Sequence, residues 1–295
     1  MIDLLTLRLF ALAAEHKSLS KTSAVANIAI AAISRRIANL EVEMGVRLFK
    51  RSQRGVELTP AGETCLIRTR NILGELTRLQ GDMGDYRNGM RGRVSIWAST
   101  SAIAQFLPAD LAAFSKEHPA IGLEIQEAYS AKIVSEVRGG NSDIGVILAG
   151  GETFGLLVWP YRCDRLAVVA PQAFRPGVSR VRFADLFDEH LVQMGYDTAM
   201  TRLLSAKANE AGEALRLRVA VDSFDAVCRM ISAGFGIGIL PLMAAASHVE
   251  NSQLRLIELD EPWSVRQMLI CTKSDVEPSG PTELLIDFLR AFGGK

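Results

Sequence analysis

The chain has 295 residues, enough for one large domain or two to three smaller ones. Its composition, 48% hydrophobic and 22% charged, is that of a soluble globular protein, and it holds no uncharged apolar run of about 18 residues or more, which excludes a membrane-spanning helix. The net charge is formally zero but unevenly placed: residues 1–93 carry 15 Lys and Arg against 9 Asp and Glu, and the remainder carries 18 against 24. A basic N-terminal segment on an acidic body is the asymmetry expected of a chain whose partner is polyanionic.

In chain order, Asp3 to His16 reads as a first helix, with Leu4, Leu7, Phe10, Ala11 and Ala14 as its apolar stripe. It lacks a basic leader region and carries Asp3, Arg8 and Glu15, so it does not read as a signal peptide. Ser18 and Ser20 are hydroxyl residues able to cap a second, short helix of small residues, Lys21 to Asn27. Ile30, Ile33, Ile37, Leu40 and Met44 then recur at intervals of three and four, one face of a third helix, with Ser34, Arg35 and Arg36 riding on it. Two short helices, a tight junction near Asn27–Ala29 and cations on the second suggest a helix-turn-helix, whose second helix enters the DNA major groove. By itself the same stretch is also compatible with an αα-hairpin in a core.

Gly45 is a helix C-cap candidate. Leu48 and Phe49 begin an extended run, Gln53–Arg54–Gly55 can turn, and Val56–Glu57–Leu58 returns, forming a hairpin with Lys50, Arg51 and Arg54 near its tip. Beside a helix-turn-helix this would be a wing whose cations contact phosphates or a minor groove; the plainer reading is a solvated basic turn. Thr59–Pro60 opens a long helix to about Arg87. Cys65, Thr69, Ile72, Leu76, Leu79, Met83 and Tyr86 lie on it at alternating spacings of four and three, a heptad seam well formed from Ile72 onward. The seam suggests dimerisation, with packing against its own domain as the competing reading. Asn88 to Gly92 breaks the helix.

From Arg93 strands and helices alternate: Val94–Ala98 (strand), Ser101–Glu117 (helix), Gly122–Glu127 (strand), Ser130–Arg138 (helix) and Ile144–Leu148 (strand). This order implies an α/β fold with a parallel sheet covered on both faces. A second series runs through Leu166–Ala170, His190–Gln193, Thr198–Ala211, Arg216–Val221, Ser223–Ala233 and Ile237–Leu240, and Val265–Thr272 with Pro281–Phe292 closes the chain. Two such units joined by crossing strands would leave a cleft at the carboxyl ends of strands. Ser99, Thr100 and Ser101, then Tyr129 and Ser130, sit at strand-to-helix turns of the first unit, with Ile147 on its third strand. Met194, Tyr196, Thr198 and Phe224 occupy similar turns of the second. Hydroxyls and free backbone N–H groups there suit an anion; each hydroxyl is equally a helix cap.

Cys65, Cys163, Cys228 and Cys271 form no CxxC pair and no Cys/His cluster, so no zinc or other metal site is expected. Isolated thiols suit a reducing cytosol. Gly234–Phe235–Gly236–Ile237–Gly238 resembles a fragment of a dinucleotide fingerprint but follows a helix and enters a strand, the reverse of what that fingerprint requires. It reads as a tight turn at the crossing between the two units, and no nicotinamide, flavin or other cofactor is expected. GxSxG, HExxH and P-loop motifs are absent, which leaves no constellation for an enzyme.

The segments LRLFALAAEHKSLSKTSAVAN, ISRRIANLEVEMGVRLFKRSQRGVELTPAGE, RVSIWASTSA, FLPADLAAFSKEHP, NSDIGVI and MISAGFGIGILP, in this order, resemble the LysR-type transcriptional regulators over nearly the whole chain. The resemblance implies a winged helix-turn-helix (1–59), a linker helix for dimerisation (60–90) and an effector-binding domain (91–295) like periplasmic binding proteins. The latter would divide into subdomain I, about 91–162 and 266–295, and subdomain II, about 163–265. It also implies a cytoplasmic homodimer or homotetramer, a double-stranded DNA operator, a small-molecule effector such as a carboxylate bound between the subdomains, and RNA polymerase as a further partner. The family usually places Ser-Gln-Pro at the start of the recognition helix, where this chain has Ala29, Ile30 and Ala31. Ile30 cannot hydrogen-bond a base edge; it can touch a thymine methyl or join the core stripe, and periodicity favours the core. Ser34 and Arg35 match the family pattern, and Ser20, Lys21, Thr22, Ala31, Arg36, Arg51 and Arg54 are the other candidate DNA contacts. Ile72, Leu76, Leu79 and Met83 are the candidate dimer contacts.

Overall fold

Asp3 opens the first helix, α1 (Leu4–His16), by accepting the Thr6 N–H at 2.8 Å. In this computed structural model, residues 2–52, 55–88, 92–195, 198–249, 253–278 and 280–293 are described, and of these the side chains at 51, 52, 77, 78 and 80–88 are not. The chain divides into two compact units, residues 1–93 with 138–142, and residues 94–137 with 143–295.

In the first unit, Ser18 caps α2 (Leu19–Ala26), accepting the Lys21 N–H at 3.3 Å. Asn27, in the left-handed region at φ 53°, ends it and turns the chain into α3 (Ile30–Met44); Asn tolerates that conformation better than most residues. Ser20 lies inside α2 and caps nothing. The core joins Leu7, Phe10 and Ala13 of α1 to Ile33, Ile37 and Leu40 of α3 and to Leu48, Phe49 and Val56. Phe10 is fully buried, worth about 1.5–3 kcal/mol relative to exposure, and its ring lies 5.2 Å from that of Phe49.

Two members of the expected α3 stripe do not join this core: Ile30 is 46% exposed and Met44 is also exposed. Both sit at the ends of the helix. Leu4, expected on the α1 stripe, is likewise exposed at the end of its helix. Strands β1 (Phe49–Ser52) and β2 (Gly55–Leu58) pair antiparallel, Phe49 opposite Leu58 and Ser52 opposite Gly55. Gly55, at φ 132°, is required twice over, because a Cβ there would meet the Lys17 carbonyl oxygen at 2.2 Å. The Val56 N–H donates to that same oxygen at 3.1 Å, fastening the hairpin base to the end of α1. Thr59 caps α4 (Pro60–Asn88) by accepting the Gly62 N–H at 3.0 Å. Along α4, Thr69 is buried and Leu76 half-buried, whereas Ile72 and Leu79 are 48% and 56% exposed.

The second unit contains two cores bridged by two strands. The elements of the first are β3 (Arg93–Ala98), α5 (Thr100–Gln105), α6 (Leu107–Glu117), β4 (Gly122–Glu127), α7 (Ser130–Arg138) and β5 (Ile144–Leu148). The single helix expected over Ser101–Glu117 is two, broken at Phe106 with Pro108 in the first turn of α6. The second holds β7 (Arg180–Val181), β8 (His190–Met194), α8 (Ala199–Glu210), β9 (Arg216–Val221), α9 (Phe224–Ser232), β10 (Gly238–Pro241), α10 (Leu242–Val249) and β11 (Leu254–Leu259).

Strand β6 (Leu156–Pro171) runs through both. Its first part pairs antiparallel with β12 (Val265–Lys273), from Lys273 opposite Leu156 to Val265 opposite Arg165. From Leu166 it pairs instead with β10, and from Ala167 with β11 as well. Strands β3 and β5 are parallel as expected, but β12 runs antiparallel to both β5 and β6, so the sheet is mixed rather than wholly parallel. One core gathers Ile96, Leu107, Phe114, Ile144, Tyr161, Ile270 and Leu285, the last from α11 (Gly280–Arg290). The other gathers Leu166, Val168, Leu204, Ile239 and Ile257, next to a cluster around Val192, Val227 and Leu240. Asp110 of α6 is buried and closed on itself, accepting from the Tyr161 hydroxyl at 2.5 Å and from Arg162 at 2.7 and 3.0 Å. The glycine turn at 234–236 lies between α9 and β10 against β8, where the Ile237 N–H donates to the His190 carbonyl. It is therefore internal to the second core, not at the crossing as the sequence suggested.

Candidate functional site

Helix α3 turns Ile33, Ile37 and Leu40 inward and leaves Ile30, Ala31 and Arg35 exposed, with Ser34 half-buried. The exposed set begins at the helix N-terminus, where Ala29 supplies no side-chain cap and the first backbone N–H groups point outward along the axis. Ser20 and Lys21 are exposed at the start of α2. Thr22, a candidate DNA contact from sequence, is fully buried, and its hydroxyl donates to the Ser18 carbonyl at 2.8 Å, so its side chain has nothing to offer a ligand. Arg36 is committed elsewhere, donating to Asp3 at 2.7 Å and to the Thr6 hydroxyl at 3.0 Å. The Thr6 N–H, with Arg36 beside it, holds the Asp3 carboxyl below the usual carboxylate range. The Arg51 side chain and Arg54 lie outside the described residues, as do the Met83 side chain and Tyr196.

Glu41 was not anticipated. It is buried on α3, and one carboxylate oxygen accepts the N–H groups of Leu48 and Phe49 at 2.8 and 3.0 Å, while the other accepts from Arg47 at 3.2 Å. A carboxylate on α3 thus fixes where the hairpin begins. Its sequence signal was a Glu on the apolar side of α3, four residues after Ile37.

In the second unit, an open cleft lies between the two cores. Ser99, Thr100, Ser101, Tyr129 and Ser130 line it from one side, and Met194, Thr198 and Phe224 from the other, all as expected. Ile147 does not. It is buried with Trp97 and Ile133, and its neighbour Leu148 faces the cleft, because successive side chains on a strand point to opposite faces. Ala128, Ala199, Met200 and Arg266 complete the lining.

The hydroxyls differ in what they are free to do. Thr198 is a true cap, accepting the Thr201 N–H at 3.1 Å. Ser130 accepts the Leu148 N–H at 3.2 Å, and Thr100 donates to Glu127 at 2.6 Å. Ser99 is 5% exposed, and its hydroxyl makes no hydrogen bond among the described residues. Arg266 is the only charged side chain of the lining among the described residues. No sequence motif pointed to it, since it sits mid-strand with no turn or repeat to mark it.

Residues 4–63 match the model of the bacterial regulatory helix-turn-helix protein, lysR family, and residues 87–293 match that of the LysR substrate binding domain. The chain belongs to the LysR family of transcriptional regulators. It is a sequence-specific DNA-binding regulator whose activity is modulated by a small-molecule effector, and not an enzyme. Among its relatives, the transcriptional dual regulator GltC of Bacillus subtilis is 27% identical over 246 residues, 81% of each chain. Full-length CbnR complexed with its target DNA has the same fold at 19% identity, with a TM-score of 0.67 over 99% of this chain and 100% of that one. The regulatory domain of CcmR from Synechocystis PCC6803, in complex with 2-PG, aligns with a TM-score of 0.64 at 21% identity, covering 70% of this chain and 99% of that one. Within the LysR family frame, α2 and α3 are the helix-turn-helix, β1 and β2 the wing, and the region from β3 onward the effector domain. Among the described residues no helix is long and apolar enough to cross a membrane.

Proposed function

We propose that this LysR-family regulator reads its operator through Ile30, Ala31, Ser34 and Arg35 of α3, with Ser20, Lys21, Arg51 and Arg54 as phosphate or minor-groove contacts. The observation that carries this reading is the division of α3 into a buried face (Ile33, Ile37, Leu40) and an exposed face bearing Ile30, Ala31 and Arg35. Ile30, where the family pattern would have a hydrogen-bonding Gln, reads a thymine methyl by apolar contact. Arg36 serves α3 by anchoring it to α1, and approaches DNA only if it leaves Asp3.

The working divisions are 1–59 for DNA, 60–90 for dimerisation and 91–295 for the effector, the last split near 162–163 and 265–266. Exposure of Ile72 and Leu79 supports pairing of two α4 helices, with Leu76 and Met83 continuing the seam. The dimer binds a dyad-symmetric operator, assembles further into a tetramer, and acts on RNA polymerase in the cytoplasm.

The test is fluorescence anisotropy of the full-length protein on an operator selected from genomic fragments, titrated across salt. Wild type is expected to lose affinity steeply with salt as phosphates are contacted. Arg35→Ala is expected to lose about 1–3 kcal/mol at fixed salt if Arg35 contacts a base. Equal affinity of wild type and Arg35→Ala at every salt concentration would sink the assignment. Ile72→Asp with Leu79→Asp is expected to shift sedimentation toward the monomer; an unchanged profile would remove α4 from the dimer interface.

A further inference from the structure

Where β6 leaves one partner strand for another, a charged pair is buried between the two strands that join the subdomains. Asp164 on β6 and Arg266 on β12 stand directly opposite each other, one position before the β12 ladder ends at Val265 and Arg165. Their side chains are 0% and 10% exposed, and Arg266 Nη2 donates to Asp164 Oδ2. The pairing is one-sided. Among the described residues Arg266 Nε and Asp164 Oδ1 make no hydrogen bond within ordinary geometry, and the Gln105 side chain is the other polar group beside the carboxylate, although a guanidinium and a carboxylate can normally share two parallel bonds. Burial pushes the Asp164 carboxyl up against the pull of Arg266, and burial likewise lowers the Arg266 guanidinium. A buried pair with one unmade bond on each side is incompletely compensated for its desolvation. The Ser99 hydroxyl, which also lines the cleft, is another buried polar group that makes no hydrogen bond among the described residues.

We propose that Arg266 is the residue that recognises the carboxylate of the effector, with Ser99 as a second donor, and that Asp164 is its internal competitor. This rests on the effector being bound in the cleft. Among the described residues Arg266 Nε–H and the Ser99 O–H are donors with no acceptor of their own, which is what an incoming carboxylate requires. The remaining lining is apolar or hydroxyl-bearing (Ala128, Leu148, Met194, Met200 and Phe224 among it), so the chemistry fits one carboxylate on a small apolar body. A second carboxylate on the ligand would find no second cation among the described lining residues. Because the bond from Arg266 to Asp164 ties β12 to β6 at their parting, a ligand that shares Arg266 acts directly on the strands that set the angle between the subdomains. Ligand occupancy is thereby converted into a bias between domain arrangements.

The test uses full-length protein and three carboxylates, isovalerate, benzoate and phenylacetate, at high millimolar concentration, each beside its primary amide. Binding is read by the ligand-induced rise in melting temperature and by calorimetry. The carboxylates are expected to stabilise wild type more than the amides do, and Arg266→Gln is expected to abolish that preference. If that variant does not fold, Asp164→Asn with Arg266→Gln removes both charges at once and is expected to show the same loss, since a buried pair is replaced better than broken. Asp164→Asn alone is expected to tighten carboxylate binding on the order of tenfold, because the competing charge is gone. A purely structural role for the pair predicts no such gain. Amides binding as well as acids, no effect of any acid on wild type, or Asp164→Asn leaving carboxylate affinity unchanged or weaker would each overturn the proposal. Ala199→Trp, which fills the cleft, separates the two levels of the reading. If it abolishes binding of acids and amides alike, the cleft holds the ligand and Arg266 alone is in question. If the acid preference survives it, the ligand site lies elsewhere.

Discussion

Glu41→Ala is expected to be among the most damaging substitutions in the DNA-binding unit, although Glu41 touches no DNA in the reading above. The side chain is 5% exposed and accepts two backbone N–H groups, those of Leu48 and Phe49, at the start of the wing. Alanine leaves both donors buried without acceptors. Hydrogen bonds to a charged group contribute about 1.5–3 kcal/mol each, so the loss of two is roughly 3–6 kcal/mol. For a unit of this size 1 kcal/mol moves the midpoint by about 4–8 °C, giving a fall of about 12–48 °C. Glu41→Gln keeps an oxygen that can accept both N–H groups and loses only the charge, and is expected to cost about 1 kcal/mol. Differential scanning calorimetry of the full-length protein is the assay, because its transitions separate the unit that carries Glu41 from the larger effector domain. A Glu41→Ala transition within about 2 °C of wild type, or a Gln variant as damaged as the Ala variant, would refute the reasoning.

Ile30→Ala is expected to change stability by no more than roughly 0.5 kcal/mol, as at other exposed positions, while weakening operator binding; a loss of about 2–5 kcal/mol in stability would show a core role instead. Asp3 is held below the usual carboxylate range, so its contribution is present above pH ~4 and lost as pH falls through its folded-state value. Asp3→Asn is accordingly expected to melt below wild type at pH 7, with the gap closing under acid; a gap independent of pH would exclude the Asp3–Arg36 tie as its source. Burial pushes the Cys228 thiol up to about 11 and the Cys271 thiol up to about 12. Iodoacetamide on native protein at pH 8 is expected to label the exposed Cys163 and spare those two, read by peptide mass spectrometry. Labelling of Cys271 at the rate of Cys163 would contradict its burial.

Much of this architecture was legible because local signals agreed with tertiary need. Ser18, Thr59 and Thr198 cap the helices their sequence positions promised. Elements with clean periodicity, such as α3, α7 and β9, fall within a residue of their expected bounds. The losses have physical reasons. The first ten residues of β6 escaped notice because Pro160, Arg162, Asp164 and Arg165 break the apolar pattern of a strand. Those same charges are what the fold uses at the crossing. Ile30 was placed in the core by its period, but a period says which side of a helix faces inward and not how far along the helix the neighbour extends. Thr22 looked like a surface hydroxyl and is a buried one satisfied by the turn before it. In the cleft, turn chemistry located the Ser and Thr residues, whereas Arg266 could be found only by closing β6 against β12. Sequence spacing carries no record of a contact across 102 residues.

The most direct test of the central reading is selection of bound sites from random or genomic duplexes by the full-length protein, repeated with Arg35→Ala and with Ile30→Gln. The expected result is a dyad-symmetric site with two half-sites. Its positions read by α3 should relax with Arg35→Ala, and should shift from thymine toward adenine with Ile30→Gln, since Gln pairs an adenine edge. Recovery of the same consensus from all three proteins, or of no consensus from wild type, would contradict the assignment of α3 as the DNA-reading helix.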